Sequence, residues 1–495
     1  MAQNPRTPVI IGVGQSIKHP QSHESYEDRP EPLDLMVEAL SAAGHDAHAS
    51  AAVLRRLDEL VAIKSFTWHP HDPARLVADR LSISPRTRLT PTGGNMPQYM
   101  VHESALRILS GEISAIGVVG SEAMYSAAMA KKAGARANWT MQGDDVPPLS
   151  VSDDERIPFT SEEYSNGLTL PVEVYPLFEN ARRARLGWSI ETQRQRLGEL
   201  WSHFASVAAS NPYAWVSSGA SPDAISLPSP ANRMVSFPYT KLLVANLPVD
   251  MGAAYIMTSL ELADSLGVAR DRMVFPLAGA DASDHWFISQ RPALDQSPAM
   301  SHIWDALRSS GVGADDLDAI DLYSCFPTVV QTACDILGIN AFDPQRIPTL
   351  TGGLTFGGGP GNNYVTHSIA TMVERLRQGE NLTGLVTGLG WFSTKHAWGT
   401  YSSTPPTKDF VHRNVQALVD AEPQQWLRQE DGAVTVETYT VVHGRDSAQR
   451  LVVAARHRDG ARVWAKTEDL ATMNAAELGE IIGLEAHIRK GVFHL

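Results

Sequence analysis

One α/β unit is written twice in this chain, and that repetition narrows the available folds more than any other feature. In the first copy "TPVIIGVGQS" reads as a buried strand ended by glycine. "PLDLMVEALSAAG" follows with apolar residues at Leu33, Met36, Leu40 and Ala43, a helical spacing stopped by Gly44, and "LDELVAIKSF" returns to a strand. In the second copy "MSHIWDALRSSGVGADDLDAIDLYSCF" repeats the order, with a helix through Ile303 and Leu307, a glycine stop and a strand. Such recurrence predicts a duplicated α/β architecture.

At 495 residues the chain is long enough for two to four domains. The stretch 126–235 interrupts the α/β texture. It is dense in Pro, Ser and Asp ("GDDVPPLSVSDDERIPF"), carries an amphipathic helix around "ETQRQRLGELWSHFASVAA", and reads as a long insertion that covers something. "DMGAAYIMTSLELADSLGV" then resumes strand and helix. The division expected is a first half over 1–125 plus 236–270, an inserted loop domain over 126–235, and a second half over 271–410. Over 411–495 short alternating runs split by "HGRDS" and "HRDG" predict hairpins and a small antiparallel barrel, OB-like in strand number.

Charge limits what this chain binds. The net charge of −14 argues against nucleic acid and anionic membranes as partners, and the barrel region itself holds 10 basic against 12 acidic residues. No run approaches eighteen apolar residues, so no membrane span is expected. Two cysteines, Cys325 and Cys334, exclude a disulfide scaffold and fit a reducing cytoplasm.

Two glycine turns lead into helices, one in each half: "TGGNMPQYMVHESALRILSG" with Gly93-Gly94-Asn95, and "TGGLTFGGGPGNNY" with Gly358 and Gly359. Neither matches a nucleotide-binding pattern. Exposed N–H groups at such helix starts can hold an anion, with Asn a good N-cap; the alternative is a tight turn in which backbone packs on backbone.

Taken with their neighbours, these segments resemble the thiolase superfamily, nearest to the sterol-carrier-protein type thiolases and their thiolase-like relatives. "VIIGVGQS", "SGEISAIGVVGSEAM", "DMGAAYIMTS", "DLYSCFP" and "GGLTFGGGP" stand in the family's order over about 1–405. The resemblance implies a five-layered αβαβα fold of two duplicated halves with a loop domain. It also implies coenzyme A or an acyl-CoA as ligand, with no required cofactor, in lipid metabolism; the resembled family is generally dimeric or tetrameric, and the assembly expected for this chain is a monomer or homodimer.

The same resemblance places the family's nucleophilic Cys at Gly94, its catalytic His at Gly359, its second Cys near Leu389, and a further His or Asn at Tyr323. Glycine supplies neither thiolate nor imidazole, so ordinary thiolase chemistry through an acyl-cysteine is expected to be absent. The remaining cleft candidates are Asn95, Tyr323, Ser324, Cys325, Gly358, Gly359 and His396. Tyr323 and Ser324 offer hydroxyls to a thioester carbonyl, an oxyanion site but no catalyst. Cys325 reads as a small hydrophobe beside the site, and Cys334 as core. His396, with Lys395, Trp391 and Trp398, occupies the expected loop of the second Cys, as an altered site or as an aromatic packing element. His69 and His71 suggest a metal only if a third ligand converges; the flanking prolines read as a turn, and no metal site is expected. The leading expectation is an acyl-CoA binder, with a possible protein partner in acyl transfer. The alternatives are an acyltransferase with a rewired site and a purely structural partner.

Overall fold

The computed structural model describes residues 4–21, 24–48, 50–149 and 156–495. The first three residues of the N-terminal segment and residues 150–155 of the expected loop domain lie outside the described residues.

The first sheet begins with the Pro8–Ile17 strand, which pairs antiparallel with Asp250–Ser259. The sheet continues through Ala115–Ala123 and Glu59–Ala62 to Arg86–Leu89 at the far edge. The Pro32–Asp46 helix lies on its outer face. A β-carbon on Gly12 or Gly14 would lie 2.1 Å from the Ala43 carbonyl oxygen or 2.2 Å from that of Ala39, so the Gly-Val-Gly of the first strand lets the helix backbone settle on the sheet.

The second sheet repeats this plan. Ala319–Asp321, Thr383–Gly390, Lys395–Ser402 and Phe275–Ser283 occupy the places of four first-sheet strands, with the same alternation of parallel and antiparallel pairing. The Pro298–Ser309 helix covers its outer face. Two helices, Met96–Ser110 and Tyr364–Leu376, lie between the sheets and touch both. The result is the expected five layers.

The insertion supplies the helices Pro171–Arg185 and Ile190–Ser210, which pack on the second half around Pro327–Leu337. Beyond residue 431 five strands close into a barrel: Gly432–His443, Ala448–Arg456, Arg462–Thr467, Val492–His494 and Glu485–Arg489, the last returning to pair with the first. Its interior holds Val436, Tyr439, Leu451, Val453 and Phe493. A short hairpin that straddles the end of the insertion, Met234–Ser236 and Tyr239–Thr240, extends the barrel sheet through the Val442–Ser236 pair.

The barrel starts later than the expected residue 411. Val411–Asn414 is the edge strand of the second sheet, parallel to Phe275–Ser283, because its backbone completes the pairing that this strand leaves open on one side. The short Gln416–Asp420 helix follows before the chain crosses to the barrel.

Buried arginine chemistry seats the barrel on the second half. Arg462 donates to the carbonyls of Ile288, Ser289 and Arg291 at 3.2, 3.1 and 2.7 Å and pairs with Glu437 at 2.6 Å. Trp464 Nε1 donates to Ser289 Oγ at 2.8 Å.

Candidate functional site

Where the N-terminus of the Met96–Ser110 helix meets the second half, a cavity of about 400 Å³ opens. Its wall is apolar: Val172, Tyr175, Phe326, Leu354 and Trp391 line it, and no lining residue carries a charge. Three residues of the lining are also exposed large hydrophobics, Phe66 at 47%, Leu170 at 54% and Leu247 at 45%, so the mouth is apolar as well. An exposed apolar rim around a concave apolar space is how proteins receive a hydrophobic chain.

The inner end of the cavity is built by Gly93, Gly94, Tyr323, Leu389 and Gly390. At Gly94 there is no spare room: a β-carbon would stand 2.7 Å from the Tyr323 hydroxyl and 2.5 Å from the Leu389 carbonyl oxygen. Tyr323 is fixed by its backbone N–H, which donates to Thr387 Oγ1 at 2.8 Å, and by an edge-on contact with the Tyr364 ring at 5.5 Å. Burial pushes its phenol well above the usual range, so it stays neutral.

Cys325 is the one thiol that lines this cavity among the described residues. Burial pushes it up to about 12, only partly offset by Tyr175, so it is a thiol and not a nucleophilic thiolate near neutral pH. Tyr175 stacks on Phe326 at 4.4 Å, donates its hydroxyl to the Trp391 carbonyl at 2.8 Å and accepts from Ser393 N–H at 2.8 Å. Arg291 braces the same turn, donating to the Phe392 carbonyl at 2.8 Å and to Thr394 Oγ1 at 3.0 Å. Through the Arg291 carbonyl this brace meets Arg462 of the barrel.

The other sequence candidates lie elsewhere. Gly358 and Gly359 do not line the cavity; Gly359 N–H donates to the Asn246 carbonyl at 3.0 Å, and a β-carbon on Gly358 would meet Met251 Sδ at 2.4 Å. At Gly358 and Gly359 this turn is backbone packed closely on its neighbours, with the Gly359 amide used within the protein. Asn363 is the residue preceding the Tyr364 helix, yet its side chain makes no cap: Nδ2 donates to the Gly120 carbonyl at 2.7 Å and Oδ1 accepts from Thr366 at 2.6 Å. Ser324 is fully buried outside the cavity lining. Asn95 and His396 line a second, polar cleft of about 220 Å³. His396 lies in a strand opposite Leu389, not in a loop, and its Nε2 faces Asp284 Oδ2 at 3.2 Å. Lys395 donates to the Thr92 carbonyl at 3.2 Å, beside the Trp286 ring. Trp398 is core, as is Cys334.

Asn362 escaped the sequence reading. Its Oδ1 accepts from Gly93 N–H at 3.1 Å and its Nδ2 donates to the Lys64 carbonyl at 2.8 Å, so the glycine turn of one half holds that of the other. Two glycine turns with complementary positions in a duplicated chain were the available signal.

Residues 414–491 match the family model described as the additional C-terminal domain of thiolase-like protein type 1. The whole chain is similar to a solved monomeric SCP2-thiolase-like protein type 1 from Mycobacterium smegmatis, at 32% identity over 99% of each chain with a TM-score of 0.84. More distant structures share the fold. An Ltp2–ChsH2(DUF35) aldolase is 20% identical over 80% of this chain and 98% of its own, at TM-score 0.58. The dimeric peroxisomal thiolase of Saccharomyces cerevisiae is 14% identical over 81% and 98%, at TM-score 0.55. A search of curated proteins finds no match.

Proposed function

The chain belongs to the SCP2-thiolase-like proteins of type 1, and we propose on that footing that it binds the acyl end of a coenzyme A thioester without thiolase catalysis. The observation that carries this reading is the uncharged cavity of about 400 Å³ whose inner end is closed by Tyr323 against Gly94. Such a wall suits an apolar acyl chain and the neutral part of pantetheine, leaving the phosphates of the coenzyme outside. The family's nucleophile and imidazole correspond to Gly94 and Gly359, and the neighbouring Cys325 thiol is held protonated. Without a thiolate there is no acyl-enzyme to form, and the bound thioester stays intact. The protein then serves as a carrier or sensor of acyl thioesters in cytoplasmic lipid metabolism, acting as a monomer and handing its ligand to a partner.

The test is acetoacetyl-CoA thiolysis with excess free coenzyme A, beside calorimetric binding of acyl-CoAs of rising chain length. Binding that tightens with chain length, with turnover at background, is the expected result. Enzymatic turnover lost in Cys325→Ser would replace this reading with a rewired acyltransferase. Failure of every acyl-CoA to bind would leave a structural partner.

A further inference from the structure

Away from the apolar cavity, three metal-ligating side chains converge where the halves and the last sheet strand meet. They are His102 from the Met96–Ser110 helix, Asp281 from the Phe275–Ser283 strand and His412 from the Val411–Asn414 edge strand. One ligand atom from each lies within 4.8 Å of the others. We propose that His102, Asp281 and His412 bind a zinc-class divalent transition-metal ion, through His102 Nδ1, an Asp281 carboxylate oxygen and His412 Nε2.

Four observations support this site. First, His102 is only 1% exposed, yet its Nδ1 has no hydrogen-bond partner and faces Asp281 Oδ1 at 3.9 Å. A buried ring nitrogen left unpaired is costly unless something occupies the space before it. Second, the Asp281 carboxylate lies between the two imidazoles. His412 Nε2 is in direct hydrogen-bond contact with that carboxylate.

Third, two of the ligands have outer partners, as metal ligands characteristically do. Asn414 Nδ2 donates to Asp281 Oδ2 at 2.6 Å, which turns the other oxygen toward the histidines. His102 Nε2 lies 3.0 Å from the Gln98 amide, whose oxygen takes the Tyr401 hydroxyl at 2.6 Å. A half-turn of that amide lets its oxygen accept from His102 Nε2–H while its NH₂ donates to Tyr401, the tautomer that frees Nδ1 for a metal. Fourth, the niche is built for this pair. Gly279 and Gly399 stand opposite each other on adjacent strands. A β-carbon on Gly279 would reach 2.3 Å from the His102 ring, and one on Gly399 would reach 2.1 Å from the Gln98 amide.

Two imidazoles and one carboxylate make a three-ligand set of the kind that zinc completes with water. Asp281 also lines the polar cleft of about 220 Å³, which gives that water its route. The ion would tie the central helix of the first half to two strands of the second.

The experiment uses full-length, untagged protein stripped with chelator and titrated with Zn²⁺ by calorimetry, and with Co²⁺ by visible absorption. One equivalent bound with tetrahedral Co²⁺ bands is expected, together with a Zn²⁺-dependent rise in Tm. Asn414→Ala, which spares the ligands, should weaken binding about 10–100-fold, and His412→Ala by more. A folded wild type that binds no equivalent, or a His412→Ala variant with unchanged affinity, would overturn the site and leave a plain imidazole–carboxylate cluster.

Discussion

The Tyr323 hydroxyl stands 2.7 Å from where a β-carbon on Gly94 would lie, and the Leu389 carbonyl oxygen stands at 2.5 Å on another side. The position to which the thiolase resemblance assigns the nucleophile is thus crowded by a side chain and a backbone group of the other half. On the proposed function, a thiol placed there does not make a thiolase. Gly94→Cys should show no thiolysis of acetoacetyl-CoA and should lose about 1–3 kcal/mol of stability through overpacking. Removing the tyrosine as well, in Gly94→Cys/Tyr323→Ala, relieves one clash and leaves the backbone one. Thiolysis by the single variant would refute this account of the site.

Filling the apolar cavity should act on binding alone. Ala245 lines it and is half-buried. Ala245→Trp should weaken a long-chain acyl-CoA by at least about 10-fold, since most of the chain's buried apolar area is displaced. Tm should stay close to wild type. Unchanged affinity, measured by calorimetry, would place the acyl chain elsewhere.

Arg462 makes the largest set of polar contacts described above between the barrel and the second half. Arg462 is fully buried and neutralises Glu437, whose carboxyl burial alone would raise but which Arg462 and Arg456 hold below its usual value. Arg462→Ala strips three carbonyls of their donor and leaves a carboxylate half-paired. A loss of about 3–5 kcal/mol is expected in urea unfolding, with Arg462→Lys failing to recover it because an ammonium cannot fork between Glu437 and those carbonyls. Earlier proteolysis within the barrel should accompany it. A loss under about 1 kcal/mol would mean that the barrel docks chiefly through Trp464 and its apolar neighbours.

The duplication was legible because periodicity reports directly on which face of an element is buried. Leu33, Met36, Leu40 and Ala43 are all buried in the Pro32–Asp46 helix, as their spacing implied. The barrel hairpins were legible from "HGRDS" and "HRDG", which fall at the turns after Gly432–His443 and Ala448–Arg456. The site was less so. That Tyr323 fills the space at Gly94 is a contact between residues 229 positions apart, and nothing local marks it. The thiolase resemblance puts His396 in the loop of the second Cys, whereas pairing with Leu389 makes it strand. The His102, Asp281 and His412 cluster draws on three separate elements, so no spacing rule reaches it.

His367 should give the fold a measurable sensitivity to acid. It sits in the central Tyr364–Leu376 helix, where Nδ1–H donates to Gln15 Oε1 of the first sheet at 2.7 Å, and Nε2 has no partner. Burial pushes its pKa down to about 3 from an ordinary value of 6.5. Below pH 6.5 the unfolded chain takes up a proton that the native state refuses. Stability is therefore intact above that pH and is lost as pH falls toward 3. At pH 5 the loss from this group is about 2 kcal/mol. Urea unfolding of wild type and His367→Gln at pH 7 and pH 5 isolates it, because the other carboxylates and imidazoles are common to both. Wild type should lose about 2 kcal/mol more than the variant over that interval. Equal losses would mean that His367 charges in the native state, and that water reaches the layer between the two sheets.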